Sequence, residues 1–302
     1  MQYVGISSGF HDSAITVIDS NGDLLFAGHG ERYSKIKHDK DLCPELIEDA
    51  LSYVSDNYEL HYYERPLIKY FRRLRAGEKP SLRSMFTCLS IGLEHTKMLR
   101  NGKYRTLYTH KHHLSHAAAG FQTSTFDDAT VVVIDSIGEF ETITIWDAVY
   151  VNGVAQYKQL WKQTYPDSIG LFYSAMTKRV GLKPLDEEYI LMGMSAYGYP
   201  KYYSQMHSEL IEDSVDLKFK ENLHLGATDD FLSGADNMDI ANSSQLLVEH
   251  LIQQVMFKAS VLGSSKNLVY GGGVALNCLA NRNLGKYFEQ IWIMPNPGDA
   301  GS

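Results

Sequence analysis

Four histidines, His110, His112, His113 and His116, fall within seven residues. His112 and His116 are spaced i, i+4, so on a helix their imidazoles share one face. Two imidazoles placed this way can hold a single metal ion. With 12 histidines in the chain, about 0.5 such pairs arise by chance, and a polar helix start with packed histidines fits the same spacing. Aspartates add to the signal. Asp135 follows the apolar run 129–134, and Asp299 follows another short apolar run. A carboxylate at such a strand end is a poor core group unless it is paired or metal-bound. Two histidines with one or two of these aspartates make a mixed N/O donor set, suited to Fe, Mn or Zn more than to Ca. Capping of a helix N-terminus by each aspartate is the competing reading.

Three other clusters have chemical potential. Gly271-Gly272-Gly273-Val274-Ala275-Leu276-Asn277 lies between a strand and an expected helix. Its glycines let backbone approach a ligand closely, and a helix N-terminus there favours anions. The segment is neither Gly-x-x-x-x-Gly-Lys-Ser/Thr nor Gly-x-Gly-x-x-Gly. Phe10-His11-Asp12-Ser13-Ala14 places a His-Asp pair in a strand-to-strand loop, where it can serve as a general base with an orienting acid or as a loop fixed by Asp12. Glu188-Tyr189, followed by Met192-Gly193-Met194-Ser195-Ala196-Tyr197-Gly198, suggests a tight turn against a ligand or against another segment.

The elements that must position these groups show a duplication. Residues 2–8, 13–19 and 23–28 are β-rich, with a turn signal at Ser20-Asn21-Gly22. The theme returns as 129–134, 141–149 and 154–163, with Asn152-Gly153 as the turn. Strand, loop, strand, turn and strand thus occur twice, about 125 residues apart, which is an internal duplication and not a short solenoid repeat. Helices are expected over 44–57, 81–100, 168–181 and 245–261, with Pro66 and Pro80 as breaks. Strands are expected over 105–109, 267–270 and 290–294. The stretch 199–244 is weakly patterned.

Composition narrows the class. The chain has 302 residues, 44% hydrophobic and 21% charged, with net charge −8. This is ordinary globular usage, with apolar material for a sizeable core. Residues 61–105 carry eleven Lys or Arg against three Glu, so that stretch is +8 and the remainder −16. The pattern reads as a solvated helical face, because its aromatics form no regular stacking series. Nucleic acid is disfavoured as a partner. Cys43, Cys88 and Cys278 form no CxxC pair, which fits a reducing compartment. No apolar run reaches 18 residues. The expectation is a cytoplasmic protein without a membrane partner.

Taken together, the ordered motifs resemble the carbamoyltransferase family of nodulation and antibiotic-tailoring enzymes, including the tobramycin and cephamycin carbamoyltransferases. The resemblance runs from Gly5-Ile6 and Phe10 to Ala14, through Glu31-Arg32-Tyr33-Ser34, Lys37-His38-Asp39 and Tyr63-Glu64-Arg65-Pro66 to Lys69. It continues through His112 to Ala118, Ile134-Asp135, Gly138-Glu139, Ser168-Ile169-Gly170, Glu188-Tyr189 and Met192-Gly193. It ends at Gly271 to Asn277 and Pro297-Gly298-Asp299-Ala300-Gly301. It implies an α/β, duplicated, actin-like or Hsp70-like two-lobed fold, shared with the tRNA threonylcarbamoyladenosine synthases. The lobes would be 1–124, with a helical insertion over about 41–105, and 125–302, with an excursion over about 199–244 and an incomplete C-terminal part.

The activity that the resemblance implies is ATP-dependent O-carbamoyl transfer, from carbamoyl-adenylate to a substrate hydroxyl. His112, His116, Asp135 and Asp299 would hold a divalent metal, Fe first, with Mn or Zn as alternatives. Mg would accompany ATP. His11 would be the general base on the acceptor. Glu188, Gly271, Gly272, Gly273 and Asn277 would bind the nucleotide, and Lys37 and His38 would contact the acceptor or the carbamoyl donor. The acceptor would be a hydroxyl-bearing small molecule or nucleoside. Departures are Ile190, where the family has lysine, and Ser195, where it has proline. The family also continues past the last aspartate into a domain that makes carbamoyl-adenylate, so the expectation is that a second chain supplies that region or that the chain is a truncated or split gene product. The alternatives are tRNA threonylcarbamoyl transfer and a non-catalytic nucleotide-binding remnant or partner subunit.

Overall fold

The computed structural model describes residues 1–9, 12–77, 98–103, 105–228 and 230–299. The chain divides into two compact units, one of Met1–Ala119 with the chain from Pro295, the other of Gly120–Met294.

The first unit is built on β1 (Gln2–Ser7), β2 (Ala14–Asp19), β3 (Leu24–His29), β4 (Tyr58–Tyr62) and β5 (Leu107–Thr109). The sheet order is β3-β2-β1-β4-β5. β1 runs antiparallel to β2 and parallel to β4, and β4 is parallel to β5. The β2–β3 turn forms as its residues dictate. Asp19 Oδ1 accepts from the Asn21 and Asp23 amides, and Gly22 takes a φ of +89°. Alternate residues Val4, Ile6, Ile15, Val17 and Leu60 pack into one core with Leu46 and Ile47. The helices are α1 (Gly30–Ser34), α2 (Pro44–Ser52), α3 (Pro66–Arg75) and α4 (His112–Gln122).

Two expectations change here. The stretch 41–105, read as a helical insertion, contains a sheet strand, β4. Its alternation is short, Tyr-Glu-Leu-His-Tyr, with Tyr58, Leu60 and Tyr62 facing inward. Pro66, read as a break, is the first residue of α3, where its missing N–H costs nothing. The helix expected over 81–100 lies almost wholly outside the described residues.

The second unit repeats the plan. β6 (Asp128–Ile134), β7 (Glu141–Val151) and β8 (Val154–Thr164) form an antiparallel meander. Further along, β9 (Ile211–Asp213) and β10 (Lys218–Phe219) make a separate small hairpin. β11 (Asn267–Gly271) pairs parallel with β6, and β12 (Gln290–Trp292) parallel with β11. The five-stranded order is β12-β11-β6-β7-β8. Read from the meander side, both sheets share one strand order and one pattern of parallel and antiparallel pairs. That shared topology is the duplicated α/β fold.

The helices of this unit are α5 (Ile169–Arg179), α6 (Glu188–Met194), α7 (Tyr203–Leu210), α8 (Asn237–Leu262) and α9 (Cys278–Asn281). β6 is apolar on both faces and buried from Ala129 to Ile134, as expected of a strand covered on both sides. α8 begins eight residues before the expected start at 245, because Asp236 caps it by accepting from the Met238 and Asp239 amides. The helix expected after the glycine loop is reduced to a 3-10 turn, Gly273–Leu276, and the four-residue α9. Among the described residues no helix is long and apolar enough to cross a membrane.

Candidate metal centre

α4 starts at His112, and one helical turn brings His116 onto the same face. Their Nε2 atoms are 3.1 Å apart. Asp299 Oδ1 lies 3.3 Å from His112 Nε2 and 3.0 Å from His116 Nε2. All three residues are buried. Ser7, at the tip of β1, donates its hydroxyl to the Asp299 carbonyl at 3.0 Å and so fixes that segment. Ligand atoms bound at metal distances of about 2.0–2.2 Å are spaced about 3.0–3.5 Å from one another. The three donor atoms therefore stand at the separations that one small divalent ion imposes, and their N2O chemistry suits Fe, Mn or Zn.

The residues behind His112 are equally buried. Glu64 is 0% exposed, and Lys69 Nζ reaches its Oε1 and Oε2 at 3.1 and 2.9 Å. Glu64 Oε2 is 3.7 Å from His112 Nδ1. The Tyr63 ring meets His112 edge-on, with centroids 5.4 Å apart. Burial pushes the Tyr63 phenol well above its ordinary pKa, and the Glu64 and Asp299 carboxylates add to that. His110, the fourth histidine of the cluster, faces elsewhere. Its Nε2 is 2.9 Å from His61 Nδ1, and burial, then His61, lowers its pKa.

His11 lies outside the described residues. Asp12 carries φ +47°. Its Oδ1 is 3.0 Å from His38 Nδ1 and 3.6 Å from His29 Nε2, while His29 Nδ1 is 3.6 Å from Glu31 Oε1. His29 thus spans two carboxylates with different nitrogens. Sequence reasoning missed His29, and Glu31 stood in a recognised motif without a role. The signal lay in the hairpin register, which pairs Ala14 with His29 and so brings residue 12 beside residues 29 and 31. Lys37 is exposed.

In the second unit Asp135 ends β6. Its Oδ1 accepts from the Ser136 amide at 2.8 Å. Gly272 adopts φ +87°, and a Cβ there would fall 2.3 Å from the Ile134 carbonyl oxygen. Gly272 therefore serves a backbone-to-backbone approach between the end of β11 and β6. Asn277 is engaged by its neighbours. Its Oδ1 accepts from Gln245 Nε2 and the Ala280 amide, and its Nδ2 donates to Gln245 Oε1. Glu188 Oε1 accepts from Ser174 Oγ at 2.7 Å and from the Leu185 amide at 2.6 Å. The Met192 to Gly198 turn packs on α8, where a Cβ at Gly198 would lie 2.0 Å from the Met238 carbonyl oxygen.

Part of the basic stretch turns inward, while Arg75 and Lys103 are exposed. Lys69 and Arg72 are buried, and Arg105 donates to the Tyr58 and Asp56 carbonyls. Lys79, Arg83 and Lys97 lie outside the described residues.

A repeated mixed five-stranded sheet and a buried two-histidine, one-carboxylate cluster define a duplicated α/β protein with a candidate metal centre. The family described as Carbamoyltransferase N-terminus matches residues 2–302, and the chain belongs to it. An uncharacterized protein of Synechocystis sp. is 33% identical over 99% of this chain and 55% of its own length. The nodulation protein NolNO of Sinorhizobium fredii is 27% identical, over 96% of this chain and 45% of its own. The chain spans about half the length of the curated relatives it matches. Similar solved structures include the activator of the 2-hydroxyisocaproyl-CoA dehydratase from Clostridium difficile with bound ADPNP, at 12% identity and a TM-score of 0.49, covering 98% of this chain and 90% of that one. HypF of T. kodakarensis has a TM-score of 0.49 at 13% identity, covering 99% and 46%.

Proposed function

We propose that this chain carries the acceptor-side chemistry of an O-carbamoyltransferase, moving a carbamoyl group from carbamoyl-adenylate to a substrate hydroxyl. The observation that carries the reading is the convergence of His112, His116 and Asp299 in a member of the carbamoyltransferase N-terminal family. When bound, a divalent metal supplies Lewis acidity toward the phosphate and carbamoyl oxygens. The chain's own part is positional. α4 presents two imidazoles from one face, and Ser7 holds the Asp299 backbone. Asp135 joins the proposed ligand set through the resemblance. His11 is the proposed base that takes the acceptor proton as its oxygen attacks the carbamoyl carbon and AMP leaves. The glycine turn 271–273 and Glu188 are the proposed nucleotide contacts. Asn277 then acts through its pairing with Gln245.

The test supplies synthetic carbamoyl-adenylate, Mn2+ or Fe2+, and a panel of polyols, aminoglycosides and nucleosides, and follows AMP release with carbamoylated product. Product that requires both the metal and His116 supports the reading. AMP release unchanged by His116→Ala, or no acceptor-dependent release across the panel, sinks it.

A further inference from the structure

Glu64 is a fully buried carboxylate on the turn between β4 and α3. Burying a carboxylate and an ammonium together stabilises little, and apolar residues of similar volume often serve as well. The Glu64–Lys69 pair therefore calls for a role beyond holding the turn. The group it faces is His112. One ring nitrogen of His112, Nε2, points at His116 Nε2 and Asp299 Oδ1, and the other, Nδ1, points at Glu64 Oε2 at 3.7 Å. An imidazole that ligates through Nε2 must carry its proton on Nδ1, and an acceptor on that side fixes both tautomer and ring orientation. Two further contacts restrict the geometry. Lys69 grips both Glu64 oxygens from the first turn of α3. Tyr63 stands edge-on to the His112 ring, and its carbonyl accepts from Ser115 Oγ at 2.7 Å, which ties the turn to α4.

We propose that Glu64, held by Lys69, is the positioning residue that sets His112 in the Nδ1–H tautomer and aims its Nε2 at the metal. The proposal rests on the ligand reading of His112, His116 and Asp299 and deepens it. In the loaded protein the Nδ1–H donates to Glu64, and that contact shortens to hydrogen-bond length.

The experiment compares wild type, Glu64→Gln, the double variant Glu64→Leu/Lys69→Met and His112→Ala. The double variant removes both buried charges at once and leaves neither unpaired, so it is the variant expected to fold if a single change does not. The readouts are Zn2+ affinity by competition with a chelator, 15N-histidine spectra of the metal-free chain, and the melting temperature. The double variant should bind Zn2+ about 10- to 100-fold more weakly than wild type. Glu64→Gln keeps an acceptor oxygen and should fall between them. The His112 signals should show Nδ1 protonated in wild type and a tautomer mixture in the double variant. A folded double variant with wild-type affinity and an unchanged tautomer overturns the proposal. If His112→Ala leaves Zn2+ binding intact, or wild type takes up no Zn2+, the ligand reading falls instead. The tautomer spectra then still decide what Glu64 does.

Discussion

The two units share a strand order but use it differently. In the first, β2 and β3 are six residues each, β3 is only partly covered, and the core is a small cluster around Val4, Ile15, Leu46 and Leu60. In the second, β7 and β8 are eleven residues each, β6 is buried throughout, and the 26-residue α8 is buried along much of its length. Imidazoles follow the same division. Among the described residues the first unit buries His112, His113 and His116, with Glu64, Lys69 and Asp299, whereas the second buries no histidine; its buried polar groups are mostly hydroxyls and amides, such as Thr142, Gln245 and Asn277, with Asp135, Glu139, Asp239 and Glu249 as its buried carboxylates. One topology thus supports a unit whose interior gathers imidazoles and a unit whose interior is dominated by packing. Substitutions at matched sites should consequently fail in different ways.

The largest expected effect is on metal binding in the first unit. His116→Ala removes one of three donors whose mutual distances are 3.0–3.3 Å. Metal content after purification and dialysis, read by mass spectrometry, should drop from stoichiometric to background. The melting temperature should move by only a few degrees, on the order of 1 kcal/mol for a domain of this size. A variant that keeps its metal would dissolve the contrast between the units.

Glycines sharpen the contrast on the stability side. Gly22 and Gly272 have nearly the same φ, +89° and +87°. A Cβ at Gly22 meets nothing within 4 Å, whereas at Gly272 it would meet the Ile134 carbonyl oxygen at 2.3 Å. Gly272→Ala should cost about 3 kcal/mol or prevent folding. Gly22→Ala should cost about 1 kcal/mol, the left-handed backbone penalty alone. Urea denaturation of both variants separates strain from packing, and equal losses would contradict the backbone-approach account of the glycine loop.

How far the sequence carried this comparison depends on which signals were local. The hairpins were legible because Asn21-Gly22 and Asn152-Gly153 are turn residues flanked by alternating strands, and the duplication followed from them. His112, His116 and Asp299 were legible by residue type and the structure brings them together, although Asp299, expected at a strand end, lies seven residues past the end of β12. β4 was not legible, because Tyr58 to Tyr62 holds one aliphatic residue and its partners are 56 positions away in β1. The start of α8 was hidden because its first turns bury Asp239, Ser243 and Ser244, polar residues that break the apolar period. Glu64 stood in a recognised motif, but its role depends on the ring orientation of a residue 48 positions later. Register and burial supply that information, and composition does not.

A smaller effect tests whether the second unit is limited by packing or by local signals. Asp236 caps α8 through two amides, at 2.8 and 3.3 Å. Asp236→Ala should lower stability by about 1 kcal/mol, measured by thermal denaturation. A loss of several kcal/mol would mean that the long helix depends on its cap more than on the burial of Leu247, Leu251 and Val255.

The smallest effect concerns a surface-reaching charge contact at the start of α8. The Lys201 ammonium beside Asp239 holds its carboxyl below the usual range, and the Tyr199 amide adds to this. The sign follows from linkage. A carboxyl whose folded pKa lies below its ordinary 3.8 contributes stability that is present above that value and is lost as pH falls through the lower folded value. Lys201→Met should therefore be slightly less stable than wild type near neutrality. The difference should shrink as both proteins are taken below pH 3.8, where Asp239 becomes protonated first in the variant and then in wild type. A difference that stayed constant with pH would assign the effect to the Lys201 ammonium over the Tyr199 ring, 6.0 Å from its centroid, and not to its pairing with Asp239, because the ring contact does not depend on the protonation of Asp239.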